Sequence, residues 1–315
     1  MFATEAIIHT EGLTRLFKDH RAVDSLDLSI QPGELFGLVG PDGAGKTTTL
    51  RLLAGLLQIS EGEGSVAGFD LRKEAESIKP HIGYMAQEFS LYAELTVVEN
   101  LQFFSEIYAV DPAEIKERSE RLLSFAGLTE FKQRRAAHLS GGMKKKLALA
   151  CTLIHEPKIL LLDEPTTGVD PVSRREFWEI LAELNLGGTT IVVSTPYMDE
   201  ADRCTRVGLI YSGRLVICDT PMAIRGELPG DLLELQPEDW RAARGLITSL
   251  PGVMQVQTYG ESLHVIVDSA EERLSEIKQA LEDNEIGFRA LRPALPRMEE
   301  AFISLINQLE LEEGP

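Results

Sequence analysis

The sequence predicts an α/β protein with a mostly parallel sheet, followed by a smaller α+β domain, and three observations carry that expectation. Short apolar runs alternate with longer helical stretches over residues 1–220. One run, Ile-Leu-Leu-Leu inside Lys158–Asp163, is apolar at every position, as a strand covered on both faces must be. Beyond Pro221–Pro229 the character changes: residues 221–315 hold 18 acidic residues against 8 basic, a net −10 of the chain's −19.

In chain order, Glu34–Val39 reads as a strand running into a glycine-rich turn, Ile82–Met85 as a strand ahead of Gln87, and Thr189–Ser194 as another buried strand. The acidic third begins with a strand at Leu232–Leu235 and a helix whose apolar face is Trp240, Ala243, Leu246, Ile247 and Leu250. Two strands follow, Val253–Tyr259 and the alternation Leu263, Val265, Val267, then a helix on Leu274, Ile277 and Leu281. A strand through Ile286, Phe288 and Ala290 completes a βαββαβ order, the split, ferredoxin-like arrangement. Met298, Phe302, Leu305, Ile306 and Leu309 recur at three- and four-residue spacing, so a closing amphipathic helix is expected. The expected domains are therefore 1–220 and 221–315.

Composition narrows the function. A pI near 4.8 opposes a phosphate backbone as partner, so no nucleic acid is expected. The start, MFATEAIIHTEG, lacks the basic and apolar regions of a signal peptide. No stretch approaches the roughly 18 apolar residues of a spanning helix, so any membrane role runs through partners. Cys151, Cys204 and Cys218 lie far apart with no CxxC pair, which reads as free thiols in a reducing cytosol.

Gly40-Pro41-Asp42-Gly43-Ala44-Gly45-Lys46-Thr47 fits GxxxxGK[ST] between a predicted strand and a predicted helix. Glycines let backbone N–H groups curl round phosphate oxygens, and the helix start adds partial positive charge. Lys46 can reach the β- and γ-phosphates, and the Thr47 hydroxyl can ligate Mg²⁺. Downstream, the strand Ile159–Leu162 ends in Asp163-Glu164-Pro165. Alone, two acids after a strand could begin a solvated loop. Beside a phosphate loop, the first reads as a Mg²⁺ carboxylate and the second as an acceptor for the attacking water's proton.

Between these motifs lies Leu139-Ser140-Gly141-Gly142-Met143, followed by Lys144-Lys145-Lys146. It resembles the signature of ABC ATPases, and the resemblance runs through residues 5–220. It implies an ABC-type P-loop ATPase domain, a mostly parallel sheet core plus a helical subdomain, with ATP and Mg²⁺ as cofactors. In that family the signature of one protomer faces the γ-phosphate held by the other, which implies a second ATPase protomer, identical or not. The implied nucleotide contacts are Phe17 on adenine, Gly40 to Thr48 in the loop, Gln87, Ser140, Gly141, Gly142 and Asp170. Thr48 directly follows Thr47 in that set. The implied metal set is Thr47, Gln87 and Asp163, and the implied catalytic set is Glu164, Gln87 and Lys46. Met143 stands where Gln is commoner, Val169 where Leu is usual, Phe17 where Tyr is usual and Asp42 where Asn is common. The carboxylate of Asp42 is therefore expected to point away from the phosphates.

One departure is larger. In Ser194-Thr195-Pro196-Tyr197-Met198-Asp199-Glu200 the family places His after Thr195, to contact the γ-phosphate. Pro196 has no titratable group and no N–H.

Within the family the sequence is most similar to efflux-type, drug-export ATPases with a C-terminal extension. Pro296-Arg-Met-Glu299-Glu300-Ala-Phe302 looks like the closing helix of that extension, which implies an accessory and dimerisation role for 221–315. The implied partners are separate membrane permease subunits, and the implied location is peripheral, on the cytoplasmic face of the cell membrane. The loop after Gln87, with Phe89, Leu91, Tyr92 and Leu95, is the expected docking surface. Two other readings stand beside this one. A soluble ABC ATPase of DNA repair or translation would carry a long insertion or a second motif set, yet only 52 positions separate Gln87 from Leu139. A slowly or non-hydrolysing subunit paired with a competent ATPase is suggested by Pro196.

Overall fold

Unit Met1–Pro221 opens with a hairpin of β1 (Ile8–Phe17) and β2 (His20–Ile30). There follow β3 (Leu35–Val39), α1 (Lys46–Leu53), β4 (Glu61–Val66), β5 (Phe69–Asp70), α2 (Ala75–Ile78) and β6 (Ile82–Met85). Three helices, α3 (Val97–Ile107), α4 (Pro112–Phe125) and α5 (Gly141–Leu153), precede β7 (Ile159–Asp163). The unit closes with α6 (Pro171–Leu186), β8 (Thr190–Thr195), α7 (Met198–Ala201), β9 (Arg206–Tyr211) and β10 (Arg214–Asp219). The computed structural model describes residues 6–88 and 91–313.

Six strands form one sheet in the order β10-β9-β3-β8-β7-β6, parallel throughout except for the antiparallel edge strand β10. Every residue of β3, β7 and β8 is buried, which is why Leu35–Val39, residues 159–162 and residues 191–193 carry no charged or hydroxyl side chain. A second, four-stranded sheet, β2-β1-β4-β5, is antiparallel. The expectation of a largely parallel sheet misses it, for two local reasons. The connection Lys18-Asp19 has neither Gly nor Asn, although Lys18 takes a left-handed φ of 54°. Irregular pairing between Thr10 and Leu13 also breaks the period-two alternation of β1. Ile8, Leu26, Leu50 and Leu161 nevertheless meet in one apolar cluster, so both sheets and α1 share a core. Burying each such side chain contributes about 1.5–3 kcal/mol.

Helices α3, α4 and α5, which lie between β6 and β7 in chain order, pack on one another. Helix α3 starts at a reciprocal cap: Thr96 Oγ1 accepts the Glu99 N–H at 3.3 Å, and Glu99 Oε2 accepts the Thr96 N–H at 2.7 Å. Pro112 sits at the first turn of α4, where a missing N–H costs nothing.

Unit Met222–Pro315 takes up the chain within α8 (Pro221–Gly226). It continues as β11 (Asp231–Pro237), α9 (Trp240–Ile247), β12 (Val253–Tyr259), β13 (Ser262–Val267), α10 (Ala270–Asp283), β14 (Phe288–Ala294) and α11 (Met298–Glu313). The strands pair antiparallel in the order β12-β13-β11-β14. Ala243 and Ile247 of α9 and Ile277 and Leu281 of α10 bury themselves against Leu233 and Val265. The last strand starts at Phe288 and runs to Ala294, later than the pattern Ile286–Ala290 suggests. A buried pair, His264 Nδ1 and Glu300 Oε1 at 2.6 Å, ties α11 to β13.

Candidate functional site

The chemistry-bearing residues hang from the ends of three adjacent parallel strands. The turn after β3 leads into α1 and carries the phosphate loop; β7 ends at Asp163; β8 ends at Thr195. Open α/β sheets place ligand sites at such carboxyl ends.

The loop of residues 40–47 is held by backbone bonds from Gly40 N–H to Thr195 O (3.4 Å) and Gly213 N–H to Ala44 O (2.9 Å). Gly45 has φ 107°, and a Cβ there would lie 2.4 Å from Ala22 O, so the position admits only glycine. Lys46 is buried, and its ammonium donates to Gly40 O and Pro41 O, both at 2.9 Å, with Glu164 Oε1 at 3.5 Å. Two carbonyls and a carboxylate thus hold a cation where phosphate oxygens can replace them.

The two acids take different places. Asp163, fully buried, accepts from Ser194 Oγ at 2.7 Å and Thr47 Oγ1 at 3.0 Å. Tyr84 OH lies 3.5 Å from its other oxygen, and burial together with Asp163 keeps the Tyr84 phenol protonated above its ordinary range. Glu164 turns the chain at φ 46°, a left-handed conformation that costs a non-glycine residue about 1 kcal/mol or more. Its N–H donates to Ser194 O at 3.1 Å. Its Oε2 accepts from Gln87 Nε2 at 2.8 Å and Thr167 Oγ1 at 3.2 Å.

Lys46, Thr47, Gln87, Glu164 and Thr167 line a cleft of about 680 Å³, along with Phe17, His20, Asp42, Gly43, Thr48, Pro196 and Tyr197, while Asp163 stays buried behind Thr47 through their hydrogen bond. Phe17 is 42% exposed, with the Arg15 guanidinium 4.6 Å from its ring centroid, so it is a surface ring and not a core one. Asp42 is exposed at the loop tip. The side of the cleft where an imidazole was expected is walled by Pro196 and Tyr197.

Other expected residues lie outside this cleft. Ser140 caps α5, its Oγ accepting the Met143 N–H at 3.3 Å, and a hydroxyl accepting in this way keeps its own proton for donation. Ser140 and Gly141 are exposed. Gly142 is buried, and a Cβ on it would meet Ser173 Oγ at 2.4 Å, so α5 and α6 need glycine there to pack. Asp170 caps α6 through the N–H groups of Val172 and Ser173, and the Ser173 bond chiefly holds its carboxyl below the ordinary value. Of the expected docking loop, Leu91, Tyr92 and Leu95 are described, and Phe89 lies outside the described residues. Tyr92 is 46% exposed and packs on Phe103, ring centroids 4.2 Å apart.

Sequence reading passes over several neighbours. Lys145 of α5 donates to Gln87 O at 2.8 Å, with burial lowering its ammonium pKa while Asp163 and Glu164 draw it back up. Ser194, Tyr84 and Thr167 complete the carboxylate contacts, but none of the four carries a motif of its own.

Comparison with known proteins agrees with this geometry. The ABC transporter family profile matches residues 23–167. The linearmycin resistance ATP-binding protein LnrL of Bacillus subtilis (strain 168) is 32% identical over 96% of this chain and 99% of its own length. The chain belongs to the family of ABC transporter ATP-binding proteins. This ABC ATPase is also 42% identical, over 99% of its length, to the probable multidrug ABC transporter ATP-binding protein YbhF of Escherichia coli (strain K12). It spans about half of that relative, 54%. Among solved structures, the ATP-binding cassette MJ0796, a dimer in a post-hydrolysis state with ADP and Pi, superposes with a TM-score of 0.63 at 27% identity. That match covers 68% of this chain and 98% of the other.

Proposed function

We propose that this ABC ATPase is the ATP-hydrolysing subunit of an exporter whose membrane path lies in separate permease subunits. One observation carries the reading: Lys46, Thr47, Gln87 and Glu164 line a single cleft beside a loop shaped for phosphates, and the buried Asp163 accepts from Thr47. The resistance and multidrug names of LnrL and YbhF support a small, drug-like cargo. Among the described residues no helix is long and apolar enough to cross a membrane, in keeping with a peripheral subunit.

In this mechanism the triphosphate lies along residues 40–47, and the Lys46 ammonium leaves its two carbonyls for β- and γ-phosphate oxygens. Mg²⁺ fits the oxygen donors present: the Thr47 hydroxyl and the Asp163 carboxylate already lie 3.0 Å apart, and Gln87 lines the same cleft as Thr47. When bound there the ion neutralises charge on the phosphates. Glu164 Oε2, oriented by Gln87 and Thr167, accepts the proton of the attacking water. Adenine stacks on Phe17. Because Ser140 and Gly141 are exposed and lie off this cleft, we assign them, with Asp170, to the site of a second protomer. Residues 1–220 act as the ATPase domain and 221–315 as an accessory domain that helps protomers associate. Leu91 borders a hollow of about 440 Å³ near Gln87, and together with Tyr92 and Leu95 it forms the surface proposed for the permease.

Pro196 adds a refinement: with no imidazole on that wall, hydrolysis should be slower than the nucleotide grip alone would suggest. Single-turnover hydrolysis tests the whole reading. Glu164→Gln should reduce the rate by roughly 10²–10⁴ while leaving Mg-ATP bound. A Glu164→Gln protein that hydrolyses at the wild-type rate removes the chemistry from this cleft.

A further inference from the structure

The mechanism leaves one deeply buried carboxylate unused. Glu200, on α7, is 1% exposed, and both of its oxygens are engaged. Thr166 Oγ1 donates to Oε1 at 2.7 Å, and Thr195 Oγ1 donates to Oε2 at 2.6 Å. The Arg174 guanidinium stands 4.0 Å from Oε1 and also lies over the Tyr197 ring, 5.3 Å from its centroid. Thr166 and Thr195 are themselves 2% and 1% exposed, so water does not compete for these bonds.

The two threonines belong to the segments at the ends of β7 and β8, strands paired side by side. Thr166 lies two residues after Glu164, and its neighbour Thr167 donates to Glu164 Oε2 at 3.2 Å. Thr195 immediately precedes Pro196, and its Oγ1 also accepts the Tyr197 N–H at 3.1 Å. Thr195 O accepts from Gly40 N–H at 3.4 Å, which brings the phosphate loop into the same set of contacts. One carboxylate therefore ties the segment carrying the general base to the neighbouring segment that carries Pro196 and Tyr197, and both segments line the cleft.

We propose that Glu200 is a positioning residue for hydrolysis, fixing the distance between the Glu164 segment and the Pro196–Tyr197 wall. The proposal rests on the assignment of hydrolysis to Glu164. Where the wall has no imidazole to orient the γ-phosphate, the backbone set by Thr195 is what keeps that wall in place. Glu200 is buried and does not line the cleft. Its effect reaches the reaction through Thr166 and Thr195, so it should alter turnover and leave ATP affinity alone.

The test uses the full chain: single-turnover ATP hydrolysis, Mg-ATP affinity and thermal melting for Thr166→Val, Thr195→Val, Glu200→Gln and Glu200→Ala, with Glu164→Gln alongside. Valine keeps threonine's shape and puts a methyl in place of the hydroxyl. Each valine variant should slow hydrolysis by roughly 10- to 100-fold, as a small misplacement of reacting groups does, with ATP affinity within about threefold. Glu200→Gln should retain more activity than Glu200→Ala, because its amide still accepts one hydroxyl. If Glu200→Ala does not fold, the valine variants decide alone. Hydrolysis within about twofold of wild type in both valine variants, or a rate that falls only in step with ATP affinity, overturns the proposal. A Glu164→Gln variant with undiminished hydrolysis brings down the assignment of Glu164, and the positioning role with it; a slowed Glu164→Gln beside unaffected valine variants brings down the positioning role only.

Discussion

Lys46 shows how a single side chain joins folding to binding. Its ammonium is buried, so it must have partners, and the partners present are groups that phosphate oxygens can displace. Lys46→Ala removes a charge-assisted contact and should weaken Mg-ATP binding by roughly 10- to 100-fold, measured by equilibrium titration. Pro196→His restores a group able to contact the γ-phosphate. It should raise the single-turnover rate by up to about 10²–10³, less whatever proline's fixed φ contributes to the turn. The buried thiols supply a pH prediction. Burial, with Glu200 and Asp202 nearby, pushes Cys204 from an ordinary 9.0 up to about 12. A raised acid favours the folded state fully below pH 9.0, and that contribution is lost as pH climbs from 9.0 towards 12. Melting temperature should therefore fall over that range, and less steeply in Cys204→Ala. Legibility followed motif contiguity. Lys46, Asp163 and Glu164 sit in contiguous motifs and could be read directly. Glu200 and Lys145 could not, because neither belongs to a contiguous phosphate or carboxylate motif, and only the fold brings Thr166 to the first and Gln87 to the second.

Local geometry also decides how the turns and helices tolerate change. Gly45→Ala would meet both a disfavoured φ and the Ala22 carbonyl, straining the loop by about 1–3 kcal/mol. Affinity for Mg-ATP should drop about tenfold for each 1.4 kcal/mol so lost. Gly142→Ala drives a methyl into Ser173, pressing α5 away from α6. It should cost about 1–3 kcal/mol of stability, seen as a lowered melting temperature. A Gly142→Ala protein that melts like wild type would show that the two helices do not need this close approach. Strands such as β7 were legible because burial on both faces leaves an all-apolar signature. The β1–β2 hairpin was not, because its turn uses Lys18 in a left-handed conformation instead of glycine or asparagine.

The division at Pro221 predicts separable roles. The cleft is lined wholly by residues numbered below 222, and the apolar core around Leu233, Val265 and Ile277 is complete without them. A chain ending at Pro221 should keep ATP affinity within about threefold, a difference below 1 kcal/mol. It should sediment as a more weakly associating species. Strong loss of nucleotide binding in a folded truncation would reassign residues 222–315 to the site itself. The burial of β7 has a consequence for the order in which the fold opens. Every residue of this strand is buried, and it is paired on both sides, by β6 and β8. Its amides should exchange with deuterium only through global unfolding, whereas the exposed first half of β4 should exchange through local fraying. The two acids at the end of β7 are thus suspended from one of the last parts of the molecule to open.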